Sequence, residues 1–287
     1  MKLVTYELNG AVKVGAVRDD SVVDLSAVAP DMLGLIAQGT ARAEEALAAE
    51  TAVSTPLSQL RLLAPIPNPR RNVMCLGLNY AEHAIESYAA KGQRASLPTT
   101  PIVFTKATTA VSGPYDPIPF DTAVSSEIDW EVELAIIIGK QGKNIPVEAA
   151  LDYVFGYTVL NDISARDLQM NGKQYFKGKS LDGACPTGPW IVTPDELPTP
   201  QNLRVTCRVN GVTKQDGNTR FMIFDISAII AYLSQGMTLL PGDIIATGTP
   251  QGVGFARTPP EFLRPGDVLE SEVEGIGVIR NVVTAVS

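Results

Sequence analysis

Short apolar runs, separated by glycine or proline, recur along most of this chain. Leu3-Val4-Thr5-Tyr6 and Val12-Lys13-Val14-Gly15-Ala16-Val17 flank Asn9-Gly10. That pattern predicts a hairpin, because a two-residue turn needs left-handed backbone at both positions. Val22-Val23-Asp24-Leu25 adds a third short strand, and residues 31–50, rich in Ala, Leu and Glu, predict one or two helices. Pro65-Ile66-Pro67-Asn68-Pro69 is stiff and breaks both periodicities. The expectation is a small N-terminal α+β domain over residues 1–66 and a larger domain over 70–287.

In the second part, Asn72 to Tyr80 reads as a buried strand running into a turn, and Ala81 to Glu86 as a helix. Residues 87–100 have little apolar content and read as a lid loop. Strands are expected at 101–106, 155–160, 189–193 and 203–209, the last turning at Asn210-Gly211. A short helix is expected from Pro146, an apolar core helix at 224–233, and a closing strand pair at 263–270 and 276–283.

The organising stretch is Trp130-Glu131-Val132-Glu133-Leu134, followed by Ala135-Ile136-Ile137-Ile138-Gly139. Its β-branched residues favour a strand. Side chains two apart on a strand share a face, so Glu131 and Glu133 aim the same way, with Asp129 beside them. Like charges so placed repel, and burial raises the cost. A hard cation such as Mg²⁺, Mn²⁺ or Ca²⁺ relieves the conflict. An exposed acidic face gives the same pattern, so both readings stand on these residues alone.

Composition narrows the field. The 287 residues carry a net charge of −8, with no basic stripe, so no nucleic-acid partner is expected. The three cysteines are widely spaced and read as free thiols of a reducing compartment. Neither a signal-peptide apolar region nor a membrane-span run is found, so a cytoplasmic protein without a membrane partner is expected. The single histidine excludes zinc sites built on several imidazoles. No G-x-S-x-G elbow is present. Gly172 and Gly178-Lys179-Ser180 imitate a phosphate loop, but five residues intervene where four are needed.

Other candidates are less specific. His83 and Glu86 are three apart on the expected helix, so the carboxylate can orient the imidazole as a general base; a surface His–Glu contact has the same spacing. Asp162 ends a core strand, fitting a ligand or a helix N-cap equally. Arg166 lies one turn beyond Asp162 and Gln169 roughly one further; Lys177-Gly178-Lys179 brings cations nearby. Gly248-Thr249-Pro250-Gln251-Gly252-Val253-Gly254 can approach an anion through its N–H groups and the Thr249 hydroxyl, or serve simply as a turn.

Taken in order, Gly77-Leu78-Asn79-Tyr80-Ala81-Glu82-His83, Asp129-Trp130-Glu131-Val132-Glu133-Leu134, Asn161-Asp162-Ile163-Ser164-Ala165-Arg166-Asp167, Lys177-Gly178-Lys179-Ser180, Cys185-Pro186-Thr187-Gly188-Pro189-Trp190 and Thr247-Gly248-Thr249-Pro250 resemble the fumarylacetoacetate hydrolase family. The resemblance runs from about residue 72 to the C-terminus. It implies a strand-rich α+β fold, with a mixed β-roll catalytic domain behind a small N-terminal domain, and a homodimer. It implies Mg²⁺ or Mn²⁺ held by Glu131, Glu133 and Asp162. It also implies a catalytic pair His83–Glu86 with Lys179, and Arg166, Gln169 and Thr249 as substrate contacts.

The activity so implied is metal-dependent hydrolysis of a C–C bond in an acylpyruvate or related 2,4-diketo acid. The alternative is decarboxylation or isomerisation of a β-keto diacid such as oxaloacetate, and the third reading is a non-catalytic, metal-stabilised subunit.

Overall fold

The computed structural model describes residues 1–49 and 53–286. Its centre is the strand Val132–Ile138, buried along its whole length. It runs antiparallel to Val154–Asn161, with Val132 opposite Asn161 and Ile136 opposite Tyr157, and antiparallel to Ile244–Ala246 on its other side. Ile244–Ala246 lies parallel to Val73–Gly77, which pairs with Ile102–Lys106. In the other direction the sheet continues through Cys185–Val192 to the N-terminal strand Lys2–Leu8. The Asn9-Gly10 hairpin therefore sits in the same twelve-stranded mixed sheet as the centre of the chain.

Both faces of that sheet are covered, which is why the central strand reads as a continuous apolar run. Val132, Leu134, Ile136 and Ile138 pack with Val205, Cys207, Leu269 and Ile279. Those partners come from a second, five-stranded sheet. Ala135 and Ile137 face the opposite way, towards Leu3, Leu35, Ile36 and Cys75. Glu131 and Glu133 share the parity of Ala135 and Ile137, and two carboxylates are thereby carried into the interior.

The expected elements are present with shifted bounds. The Ala-rich segment forms two helices, Met32–Gln38 and Ala41–Ala48, parted at Gly39; its last residue, Glu50, lies outside the described residues. The lid reading of 87–100 began too early. The helix runs Ala81–Ala90, since Tyr88, Ala89 and Ala90 continue it and Ser87 packs its side chain inward. A helix capped by Asp162, one of its two readings, does not form: Ser164–Ala165 pairs with Ile128–Asp129 and the helix is Arg166–Asn171. Its N-cap, Ala165, makes no side-chain cap bond, so Asp162 is not spent on capping. Cys75, Cys185 and Cys207 are free and buried. No helix among the described residues is long and apolar enough to cross a membrane.

Candidate active site

Strand register explains why three carboxylates meet. Beyond the Val132–Asn161 pair the ladder continues, with the Asp162 N–H donating to the Glu131 carbonyl at 2.8 Å. Asp162 is therefore the cross-strand neighbour of Glu131, and Glu133 lies two residues along on the same face. Ligand oxygens of Glu131, Glu133 and Asp162 fall within 4.8 Å of one another, and all three residues are buried. Asn161 braces the turn: its Oδ1 accepts the Glu131 N–H at 3.0 Å and its Nδ2 donates to Ser271 Oγ at 2.7 Å.

Cations reach this cluster unevenly. Lys179 Nζ lies 2.7 Å from Glu131 Oε2 and 2.7 Å from Asp162 Oδ2. Arg166 Nη2 lies 2.7 Å from Glu131 Oε1. Lys106, fully buried, donates to Asp162 Oδ1 at 2.6 Å and to the Ile163 carbonyl at 3.1 Å. Burial opposes ionisation of Glu131, but Lys179 and Arg166 outweigh it and hold its carboxyl below the usual range. Glu133 is different: it accepts the Gly248 N–H at 2.7 Å, and among the described residues no cationic side chain pairs with it. Burial, then the Asp162 and Glu131 charges, push its pKa well up.

An oxygen-only donor set with one buried carboxylate lacking a counter-charge fits a hard divalent cation. Glu131, Glu133 and Asp162 are the residues that would hold it.

His83 and Glu86 form the contact expected from their spacing. On the helix Ala81–Ala90, His83 Nδ1 lies 2.9 Å from Glu86 Oε1, and the Gly252 N–H donates to both Glu86 oxygens at 3.0 Å. Both His83 and Glu131 line one pocket. With Nδ1 committed to Glu86, Nε2 is the ring nitrogen left for proton transfer.

Arg166 also lines this pocket and is held on three sides. Asp129 accepts its Nε at 2.8 Å, Gln169 Oε1 accepts its Nη1 at 2.9 Å, and the Phe255 ring lies 4.3 Å from its guanidinium carbon. The fully buried Asp129 also accepts the Gly254 and Phe255 N–H groups at 2.7 and 3.0 Å. Thr249 lines the pocket, but its hydroxyl already donates to the Val132 carbonyl at 2.8 Å and accepts from Gln215 Nε2 at 2.8 Å. In this structure the glycine-rich loop spends its N–H groups on the protein's own carboxylates: Gly248 on Glu133, Gly252 on Glu86, Gly254 on Asp129.

The structure thus brings together the residues expected at the site, gives Asp129, expected beside the two glutamates, to Arg166, and adds Lys106, Asn161 and Gln215. A lone lysine in Phe104-Thr105-Lys106 gives no local sign that it will be fully buried against a carboxylate.

A family model described as the fumarylacetoacetate hydrolase C-terminal domain matches residues 72–284. The chain belongs to the fumarylacetoacetate hydrolase family. Oxaloacetate tautomerase YisK of Bacillus subtilis is 42% identical over 302 residues, covering 98% of this chain and 99% of that protein. Among solved structures, a fumarylacetoacetate hydrolase from the psychrophile Exiguobacterium antarcticum superposes with a TM-score of 0.87 at 40% identity, covering 100% of both chains. Maleylpyruvate hydrolase from Sphingobium sp. SYK-6, solved with manganese(II) and pyruvate, superposes with a TM-score of 0.82 at 32% identity and full coverage of both chains. The family's chemistry therefore includes isomerisation as well as hydrolysis, and the expected hydrolase reading must be weighed against its alternative.

Proposed function

We propose that this protein is a metal-dependent oxaloacetate tautomerase, interconverting the keto and enol forms of a β-keto diacid. The observation that carries the reading is the end-to-end similarity to a relative bearing that name, supported by the His83–Glu86 contact in a pocket that His83 shares with Glu131. It replaces C–C hydrolysis as the preferred activity. Hydrolysis would use the same residues and add an attacking water.

Tautomerisation moves one proton: a C–H bond at C3 breaks, its electron pair enters the C2–C3 bond, and the C2 oxygen gains a proton. Glu131, Glu133 and Asp162 would hold a divalent ion, with Mg²⁺ or Mn²⁺ the expected species, and it would supply Lewis-acid polarisation of the 2-keto acid. His83 Nε2 takes the C3 proton, while Glu86 fixes the ring and stabilises the imidazolium that forms. Lys179 and Arg166 offer charged donors to the substrate's oxygens, and Gln169 a neutral amide. We propose a small-molecule keto acid as the ligand and a homodimer as the assembly.

The test follows loss of enol-oxaloacetate absorbance with Mg²⁺ and with EDTA, alongside CO₂ release and cleavage of acetylpyruvate. Metal-dependent ketonisation without CO₂, and with acetylpyruvate intact, is the expected result. Faster cleavage of acetylpyruvate than ketonisation of oxaloacetate would restore the hydrolase reading.

A further inference from the structure

The helix that carries the acid–base pair presents two more polar groups to the same pocket. His83, Ser87 and Lys91 are spaced four apart, so they form one stripe along the helix and its C-terminal cap, and all three line the pocket with Glu131 and Arg166. Ser87 is 2% exposed, yet its hydroxyl has no hydrogen-bond partner. A buried hydroxyl left so is costly, and most are satisfied. Lys91 sits at the exposed rim, where among the described residues it pairs with no carboxylate. The pocket cations at the triad are already shared with the protein's own carboxylates, Lys179 with Glu131 and Asp162 and Arg166 with Asp129 and Glu131, so any donor they offer a ligand lies at its 2-keto acid end. Desolvation at the rim, then the nearby Arg166 charge, lower the Lys91 pKa, so Lys91 lacks the anion that would stabilise its charge.

We infer that Ser87 and Lys91 form a carboxylate subsite that receives the far end of the substrate and selects 2-keto diacids over 2-keto monoacids. The inference rests on the proposed function in one respect, that the 2-keto acid end of the ligand is held at the triad. The distal carboxylate then reaches the remaining face of the pocket, where a buried hydroxyl and an unpaired ammonium await it. Lys91 acts as a point charge here, and Ser87 as the donor that fixes the carboxylate plane.

Oxaloacetate and 2-oxobutyrate are four-carbon 2-keto acids that differ in the terminal group, carboxylate against methyl. Their dissociation constants are measured calorimetrically on the full chain with Mg²⁺, for the wild type, Lys91→Met, Lys91→Arg and Ser87→Ala. A charge-assisted contact predicts that Lys91→Met weakens oxaloacetate roughly 10- to 100-fold while changing 2-oxobutyrate less than about 2-fold. Ser87→Ala should weaken oxaloacetate roughly 3- to 10-fold with the same selectivity, and Lys91→Arg should keep most of the affinity. Equal weakening of both ligands by Lys91→Met would show a merely structural role at the helix end and overturn the inference, as would no weakening of either. If the wild type prefers oxaloacetate in this way yet does not tautomerise it, the proposed activity fails and the subsite stands.

Discussion

Replacing Glu133 by Gln separates what this side chain does to folding from what it does for a cation. Gln keeps the volume and an oxygen for the Gly248 N–H, now 2.7 Å from Glu133 Oε2. It removes a carboxyl that is 1% exposed. Burial first, then Asp162 and Glu131, raise the Glu133 pKa well above its ordinary 4.5. In metal-free protein the folded state therefore retains a proton that the unfolded chain has released. Stability falls as pH rises from the unfolded value towards the raised folded value, by up to about 1.4 kcal/mol per pH unit from this group alone, and levels off above it.

Glu133→Gln lacks that slope. In EDTA its advantage should grow from near zero around pH 4.5 to roughly 1–3 kcal/mol near neutrality, a rise of several degrees in Tm. Saturating Mg²⁺ should reverse the order, since a ligand at a hundredfold excess over its Kd adds about 2.7 kcal/mol to the wild type and little to the variant. Urea midpoints measured across that pH range, with EDTA and with Mg²⁺, decide the matter. The reasoning is refuted if both proteins share one pH profile in EDTA, or if the variant keeps the full Mg²⁺ shift.

Three further outcomes are expected. His83→Ala should lower kcat by roughly 10²–10⁴-fold while Mg²⁺ still raises the unfolding midpoint; unchanged kinetics would remove the pair from the mechanism. Asp129→Asn should cost about 3 kcal/mol in denaturation, the low end for a broken buried pair because Arg166 keeps its 2.7 Å contact with Glu131, and a loss under 1 kcal/mol would contradict this. Gly252→Ala places a side chain at φ +101° against the Lys214 carbonyl. It should cost roughly 1–3 kcal/mol and displace the N–H that holds Glu86, so kcat should fall along with stability.

Much of the site was legible because its spacing is local. Glu131 and Glu133 two apart on a strand, and His83 and Glu86 three apart on a helix, follow from periodicity alone. The partnership of Asp162 with Glu131 does not. It depends on the register between two strands whose ladder is irregular at Ile137/Ile138, and a one-residue slip would turn Asp162 to the other face. Family resemblance filled that gap. Lys106 was unreadable for another reason, since burial against a partner distant in sequence leaves no periodic trace. The glycine-rich loop was read as approaching an anion through its backbone, and the anions it meets in this structure are the protein's own side chains.

That loop has a consequence for how such a site can change. Its donors are main-chain amides, which no substitution outside proline can delete, and each fixes a different working carboxylate. Drift at Gln251, the loop's one side chain that is not buried, therefore leaves the triad, the imidazole and the guanidinium in place. New substrate preferences are more readily acquired on the opposite wall, where the helix offers side chains that other groups in the protein do not depend on.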